Sequence, residues 1–309
     1  MVQRKATWKA TVSLILIVSL VLVLFGGCAN SNKPGSSAAP GASGSSAPAP
    51  AENKGTIDIG YVNWAECIAV SNLWKVILEE KGYEVTLTQL DVAPLFVGLS
   101  KGDIDFFMDG WLPITHATYW EEYKDSLEDY GIWYQEPAKI GLVVPNYVTI
   151  DSIEALKGAA DQFNGQIIGI DPGAGIMKAT EAANEAYELG IEVVQGSEPA
   201  MMAALEKAYG NNEWIAITGW SPHWMFAKYD LKYLEDPKGA YGEAEEIHTL
   251  ANKDFGTKQP EIAAMLKNFK MSDAQIGSLE GLINDGMEPD AAAQKWIGDN
   301  KDVVDAWLA

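Results

Sequence analysis

Two similar α/β lobes joined by a two-strand hinge are what this 309-residue sequence predicts. Three observations lead there. Short strand-like runs alternate with segments of helical spacing, the order that builds βαβ units and a parallel sheet. That order occurs twice, with matching punctuation, so there are two related units rather than one. Finally, one segment leaves the first copy near residue 147 and another returns near residue 246. Two crossings between two lobes make a hinge with a cleft between them.

The first copy starts at residue 56. TIDIGYV alternates like a strand and leads to Trp64. CIAVSNLWKVILEEKG carries apolar residues at helical spacing and stops at Gly82, a helix-ending residue. YEVTLTQL alternates again, APLFVGLSKGD reads as a second helix, and IDFFMDGW reads as a third strand. From residue 165 the order repeats. GQIIGIDPG is a strand ending in a glycine-rich turn, IMKATEAANEAYELG a helix, IEVVQG a strand, EPAMMAALEKAYG a helix and WIAITGW a strand. Gly60 and Trp111 are 51 residues apart, and so are Gly169 and Trp220. KGYEVT matches LGIEVV, and GWLP matches GWSP. The segment 246–255 reads as a return strand, and the last fifty residues as helices packed on the first lobe. The expected lobes are therefore 55–147 plus 246–309, and 148–245.

The first 27 residues belong to neither lobe. Arg4, Lys5 and Lys9 precede an uncharged apolar run and then GGC, the layout of a secretory signal. A cysteine directly after the small residues makes it a lipoprotein signal, with Cys28 acylated. The alternative is a plain, short anchor helix. Residues 28–54 are Ser, Gly, Ala and Pro without periodicity, a flexible tether. The chain has two cysteines, so acylation of Cys28 leaves Cys67 without a disulfide partner.

Lys and Arg total 22 against 43 acids, a formal charge of −21. The leader has three cations and no acid, so its removal takes the charge to −24. Such a surface argues against nucleic acid, whose phosphates need cations, and against binding to anionic lipid.

In open α/β sheets, ligands sit beyond the carboxyl ends of the strands. Here those ends carry Trp64, Trp111, the DPGAGIM turn and Trp220. Most of the 11 tryptophans belong in the core; these three share a position suited to a cleft. Three indoles facing one cleft form an aromatic box, and quaternary ammonium is the cation such boxes take. After DPGA, the backbone N–H groups of Gly175 and Ile176 open a helix, where an anion such as a carboxylate is favoured; an ordinary tight turn is the plainer reading. His116, five residues after Trp111, is placed to donate to the same carboxylate. His223 in SPHW stands one layer behind the box, and His248 in the return strand is structural. There is no HExxH, Cys–His cluster or EF-hand loop to hold a metal, no phosphate-binding glycine motif, and no GxSxG nucleophile.

NWAECIA, DGWLPITH, IIGIDPGAGIM and ITGWSPHWMFAKYDLKYLEDP resemble the glycine betaine-binding lipoproteins of osmoprotectant ABC importers. The resemblance covers nearly all of residues 56–309. It implies a fold like the type II periplasmic binding proteins. It also implies a monomer without cofactor or enzymatic activity, lipid-anchored on the extracytoplasmic face, delivering its solute to a permease subunit. The family's tryptophan prism maps to Trp64, Trp111 and Trp220, its carboxylate-binding amides to Gly175 and Ile176, and its histidine to His116. In some relatives the two halves run in the opposite order. The departures are Phe25 three residues before the cysteine, where Leu is usual, and the NWAEC stretch, which could tune preference between glycine betaine and proline betaine. Rival readings are a receptor for choline, carnitine or ectoine, a sensor for the same solute, and a surface enzyme acting on quaternary amines. Choline lacks a carboxylate and would not need the DPGAGIM turn.

Overall fold

The alternation in TIDIGY becomes strand β1 (Thr56–Tyr61) in the computed structural model, which describes residues 53–309. The expected leader 1–27, Cys28 and nearly all of the 28–54 tether lie outside the described residues. Helix α1 (Ala65–Glu80) begins directly after Trp64, its N-cap. β2 (Glu84–Gln89), α2 (Val92–Lys101), β3 (Phe106–Leu112), α3 (Ala117–Tyr123) and β4 (Leu127–Ile132) follow. All seven residues of β3 are buried, as befits a central strand covered on both faces.

The second run is β5 (Lys139–Pro145), α4 (Ile153–Leu156), β6 (Gln166–Ile168), α5 (Gly175–Ala186) and β7 (Glu192–Val194). It continues through α6 (Glu198–Asn211), β8 (Ile217–Ser221), α7 (Met225–Lys228) and β9 (Leu231–Tyr233). β6 is shorter than the 165–173 alternation suggests, because a turn bonding Ala174 N–H to Asp171 O takes over before the helix. β10 (Glu246–Asn252) and helices α8 (Phe255–Lys258), α9 (Pro260–Asn268), α10 (Asp273–Asn284), α11 (Pro289–Asp299) and α12 (Lys301–Trp307) close the chain.

Two five-stranded sheets result, ordered β2-β1-β3-β10-β4 and β7-β6-β8-β5-β9. β1 lies parallel between β2 and β3, and β6 lies parallel between β7 and β8. The repeat read in the sequence is thus a repeat of sheet order. Each sheet then takes an antiparallel strand next to its third member: β10 beside β3, and β5 beside β8. The chain therefore changes sheets after β4, ahead of the residue-147 boundary expected from sequence. KIGLVVP is a short apolar run that fits either sheet, and only its register against β8, from Lys139↔Ser221 to Val143↔Ile217, decides between them.

The two crossings pair with each other. Ala138 and Glu245 exchange both backbone hydrogen bonds at 2.8 Å. α10 and α11 pack on α1, so the C-terminal helices belong to the first lobe. Four other tryptophans are core residues there: Trp74, Trp133 and Trp307 surround Phe269 at centroid distances of 5.4, 5.5 and 4.8 Å, and Trp296 stacks on Trp307. Each such pair adds about 0.5–1.5 kcal/mol to its area burial. Among the described residues no helix is long and apolar enough to cross a membrane.

Candidate functional site

One cavity is lined by Trp64, Trp111 and Trp220 together with His116, Gly175 and Ile176. It also brings in Glu66, Thr115, Ile140, Ile170 and Ala174, which the sequence reading had not assigned. The tryptophans reach it from the positions expected: Trp64 after β1, Trp111 in β3 and Trp220 in β8. The peptide bonds Leu112–Pro113 and Ser221–Pro222, one residue further on, are both cis. The glycine before each tryptophan has a packing reason. A Cβ on Gly110 would meet Leu250 of β10 at 2.7 Å, and one on Gly219 would meet Val143 of β5 at 2.5 Å.

Each of the three indole N–H groups is given to a carboxylate. Trp64 donates to Asp171 at 3.2 Å, Trp111 to Asp109 at 2.8 Å and Trp220 to Glu66 at 2.9 Å. No indole N–H is left to bind a solute, so what the rings offer is π surface. That is the surface a cation with no hydrogen-bond donor requires. Two of these bonds run between the lobes, Trp64 to Asp171 and Trp220 to Glu66. So do Ala65 N–H to Glu198 at 2.8 Å and Tyr119 OH to the Gly173 carbonyl at 2.9 Å. The rings are thus held by the same bonds that hold the lobes together.

His116 is fully buried, stacked at 6.0 Å on Trp64. Its Nδ1 accepts the Trp111 backbone N–H at 2.9 Å. Burial, with a smaller contribution from Lys178, pushes its pKa down to about 3. The ring is therefore neutral and carries its single proton on Nε2. That Nε2 has no hydrogen-bond partner among the described residues. A buried donor left unpaired costs about 1–3 kcal/mol, and a carboxylate in the cavity would satisfy it. Gly175 and Ile176 are the first two residues of α5, whose N–H groups have no intrahelical acceptor. Gly175 has to be glycine in this arrangement: a Cβ there would lie 2.1 Å from the Thr115 carbonyl oxygen of the opposite lobe.

The turn that carries Thr115 and His116 is tied to the hinge. Glu245, on the returning crossing, accepts the N–H groups of Ile114 at 2.9 Å and Thr115 at 2.7 Å, and the Thr115 hydroxyl. His223 stands one layer further back. Its Nδ1 accepts the Met225 N–H at 3.0 Å, so its Nε2 proton goes to Glu198 at 3.2 Å. Glu198 in turn holds Ala65, next to Trp64. His248 lies in β10 beside Asp129, at 2.9 Å, away from the cavity.

Carboxylates crowd the back of the box. Glu66 and Glu280 are held well above the usual carboxylate range, in both cases chiefly by burial and then by the charges of their neighbours. Burial pushes Asp109 up to about 7, against the pull of its hydrogen bond from Trp111. Cys67 is buried and, among the described residues, has no disulfide partner, and burial raises its thiol too. Glu66 and Glu198 had a visible signal in the sequence, an acid at the mouth of a strand–helix turn. An acid at a helix start has an ordinary electrostatic explanation, and nothing in the sequence separated the two cases.

Comparison with known proteins gives the site a family. The substrate-binding domain of ABC-type glycine betaine transport systems matches residues 55–299, and the chain belongs to that family. The family is one of binding domains, not enzymes. The glycine betaine/carnitine transport binding protein GbuC of Listeria monocytogenes is 42% identical over 162 residues; the match spans 52% of this chain and 54% of that protein, about half its length. The crystal structure of lactococcal OpuAC, closed on glycine betaine, aligns with a TM-score of 0.78 at 38% identity, covering 83% of this chain and all of that one (100%). An ABC-transporter choline binding protein in complex with choline aligns with a TM-score of 0.76 at 28% identity, covering 82% of this chain and 92% of that one.

Proposed function

We propose that this chain captures glycine betaine, and proline betaine as a close relative, between its two lobes and delivers it to the permease of an ABC importer. The observation that carries the reading is the division of labour in the cavity. Three indoles with their N–H groups already engaged leave only π faces, which suits the trimethylammonium head. The neutral His116, with a free Nε2 proton, and the first amides of α5 suit the carboxylate. In this reading Trp64, Trp111 and Trp220 enclose the cation, while Gly175, Ile176 and His116 hold the anion.

Binding proceeds by hinge closure. The solute enters the open cleft, and the lobes rotate about the paired crossings at Ala138 and Glu245. The cross-lobe bonds from Trp64 and Trp220 then form as the box completes. Ligand and latch thus share the same side chains. The protein acts outside the cytoplasmic membrane, as family membership supports, anchored through an acylated Cys28 and working as a monomer.

A second reading, choline, is favoured by one observation: Glu66 lines the cavity and adds an acidic group beside the box. It leaves the His116 donor and the α5 amides without a partner, so the carboxylated solute fits better. The test is intrinsic tryptophan fluorescence, titrated with glycine betaine, proline betaine, carnitine and choline, for wild type, Trp111→Ala and Trp220→Ala. A saturable change with the betaines, absent in both variants and weaker with choline, is expected. A choline response as strong as that to glycine betaine would remove the carboxylate half of the site.

A further inference from the structure

Four carboxylates meet behind the box: Glu66 in α1, Asp109 in β3, Glu280 in α10 and Glu198 at the start of α6. All are buried, with exposures of 1%, 0%, 1% and 6%. Three belong to the first lobe, and Glu198 belongs to the second. The groups acting on them are one another, Asp273 of α10 and Cys67 of α1, with His223 on Glu198. No lysine or arginine is among the groups acting on Glu66, Asp109 and Glu280.

The hydrogen bonds do not make up the shortfall. Glu66 receives one from Trp220, Asp109 one from Trp111, and Glu198 one each from Ala65 and His223. Asp109 Oδ2 and both oxygens of Glu280 have no partner among the described residues. The Trp224 N–H favours the charged form of Glu280 without reaching hydrogen-bond geometry. Glu280 and Glu198 also line a second pocket between the lobes, with Trp224 and Asn284. A buried carboxylate with neither donor nor cation is too costly to keep charged. It resolves the cost by taking a proton, and a like charge nearby strengthens that tendency.

Closure changes this cluster. Glu198 is tied to the first lobe through the Ala65 bond, and Trp220 through Glu66. In an open cleft, Glu198 would move away with the second lobe, and water would reach Glu66 and Glu280.

We propose that closing on the solute takes up a proton into the buried Glu66, Asp109 and Glu280 carboxyls, so that solute affinity weakens as pH rises. This rests on the hinge-closure reading above. The direction follows from linkage: groups that bind protons more tightly closed than open favour the closed form at lower pH. That advantage is lost as pH rises through their closed-state values. The loss starts in the ordinary carboxylate range of the open form; for Asp109 it is complete by about 7, and Glu66 and Glu280, raised well above the ordinary range, extend it upward. His116 does not contribute, because it is neutral across this range.

The test is calorimetric titration of the full chain with glycine betaine at pH 7.5, in phosphate, imidazole and Tris, whose ionisation enthalpies differ. The apparent enthalpy should vary linearly with buffer enthalpy, with a slope of about 0.3 to 1 proton taken up. The Kd should rise several-fold from pH 6.5 to 8.5, at most about tenfold per pH unit for one proton. Glu280→Gln, a neutral isostere outside the box, should bind with less than half that slope and a flatter pH profile. Equal enthalpies in all buffers with a flat Kd would overturn the proposal. So would a Glu280→Gln protein that takes up as many protons as wild type. If that variant does not fold, the wild-type buffer series decides alone. A complete absence of binding at every pH overturns the solute assignment, and this proposal with it.

Discussion

Two histidines follow the two Gly-Trp-x-Pro turns, and they start from the same chemistry. Each accepts a backbone N–H on Nδ1, His116 from Trp111 and His223 from Met225, and each therefore presents its proton on Nε2. They differ in what that proton meets. His223 gives it to Glu198, whose other oxygen accepts the Ala65 N–H. His116 gives it to nothing in the described protein, and its ring lines the cavity. One copy of the repeat uses its donor to hold the lobes, and the other leaves its donor without a protein partner at the cavity. The lesson is that a repeat can duplicate a strand, a turn and a tautomer while dividing the roles between its copies.

The most severe way to break this arrangement is at the contact between the copies. Gly175→Ala places a Cβ 2.1 Å from the Thr115 carbonyl, a backbone atom that cannot swing aside. Closure should fail, and glycine betaine affinity should fall by about 100-fold or more, on the scale of 1.4 kcal/mol per tenfold. Calorimetry reads this, with an unchanged circular dichroism spectrum showing that the lobes still fold. His116→Ala is next. A hydrogen bond to a charged group contributes about 1.5–3 kcal/mol, so affinity for carboxylated betaines should fall about 10- to 100-fold, with choline affected least. Titration of these ligands side by side checks it. His223→Ala should cost less, a few-fold in affinity at about 1 kcal/mol, and equally for every ligand, because it acts through Glu198. If His223→Ala were instead selective for carboxylated ligands, the division of roles would be reversed.

His248 gives the smallest effect and a control outside the site. Burial lowers its pKa, but the hydrogen bond and charge of Asp129, with Glu246, outweigh that and leave it raised. A raised histidine stabilises the fold fully below its unfolded value of about 6.5 and loses that contribution as pH rises through the folded value. Thermal melts should show wild type losing up to about 1 kcal/mol between pH 6 and 8 relative to His248→Asn. Ligand affinity should be the same in both proteins.

Much of this was legible in the sequence. The 51-residue spacing from Gly60 to Trp111 and from Gly169 to Trp220 carried the two sheets, because the spacing of strand ends survives when side chains diverge. That the three tryptophans share one cavity was legible because strand ends in α/β sheets point to the cleft. The position of β5 was not: its pairing with β8 is between distant parts of the chain, and an apolar run does not name its partner. Glu66, Glu198 and Glu245 were not assigned either. Each acts through a bond to a residue far off in sequence, Trp220, Ala65 and Thr115 respectively. The histidine tautomers needed coordinates as well, since a single backbone N–H decides them.

The most direct test is a crystal structure of the protein with glycine betaine. The trimethylammonium group is expected among Trp64, Trp111 and Trp220, and the carboxylate about 2.7–3.2 Å from His116 Nε2 and the Gly175 and Ile176 amides. A solute bound elsewhere, or bound with its carboxylate turned away from His116 and α5, would contradict this placement.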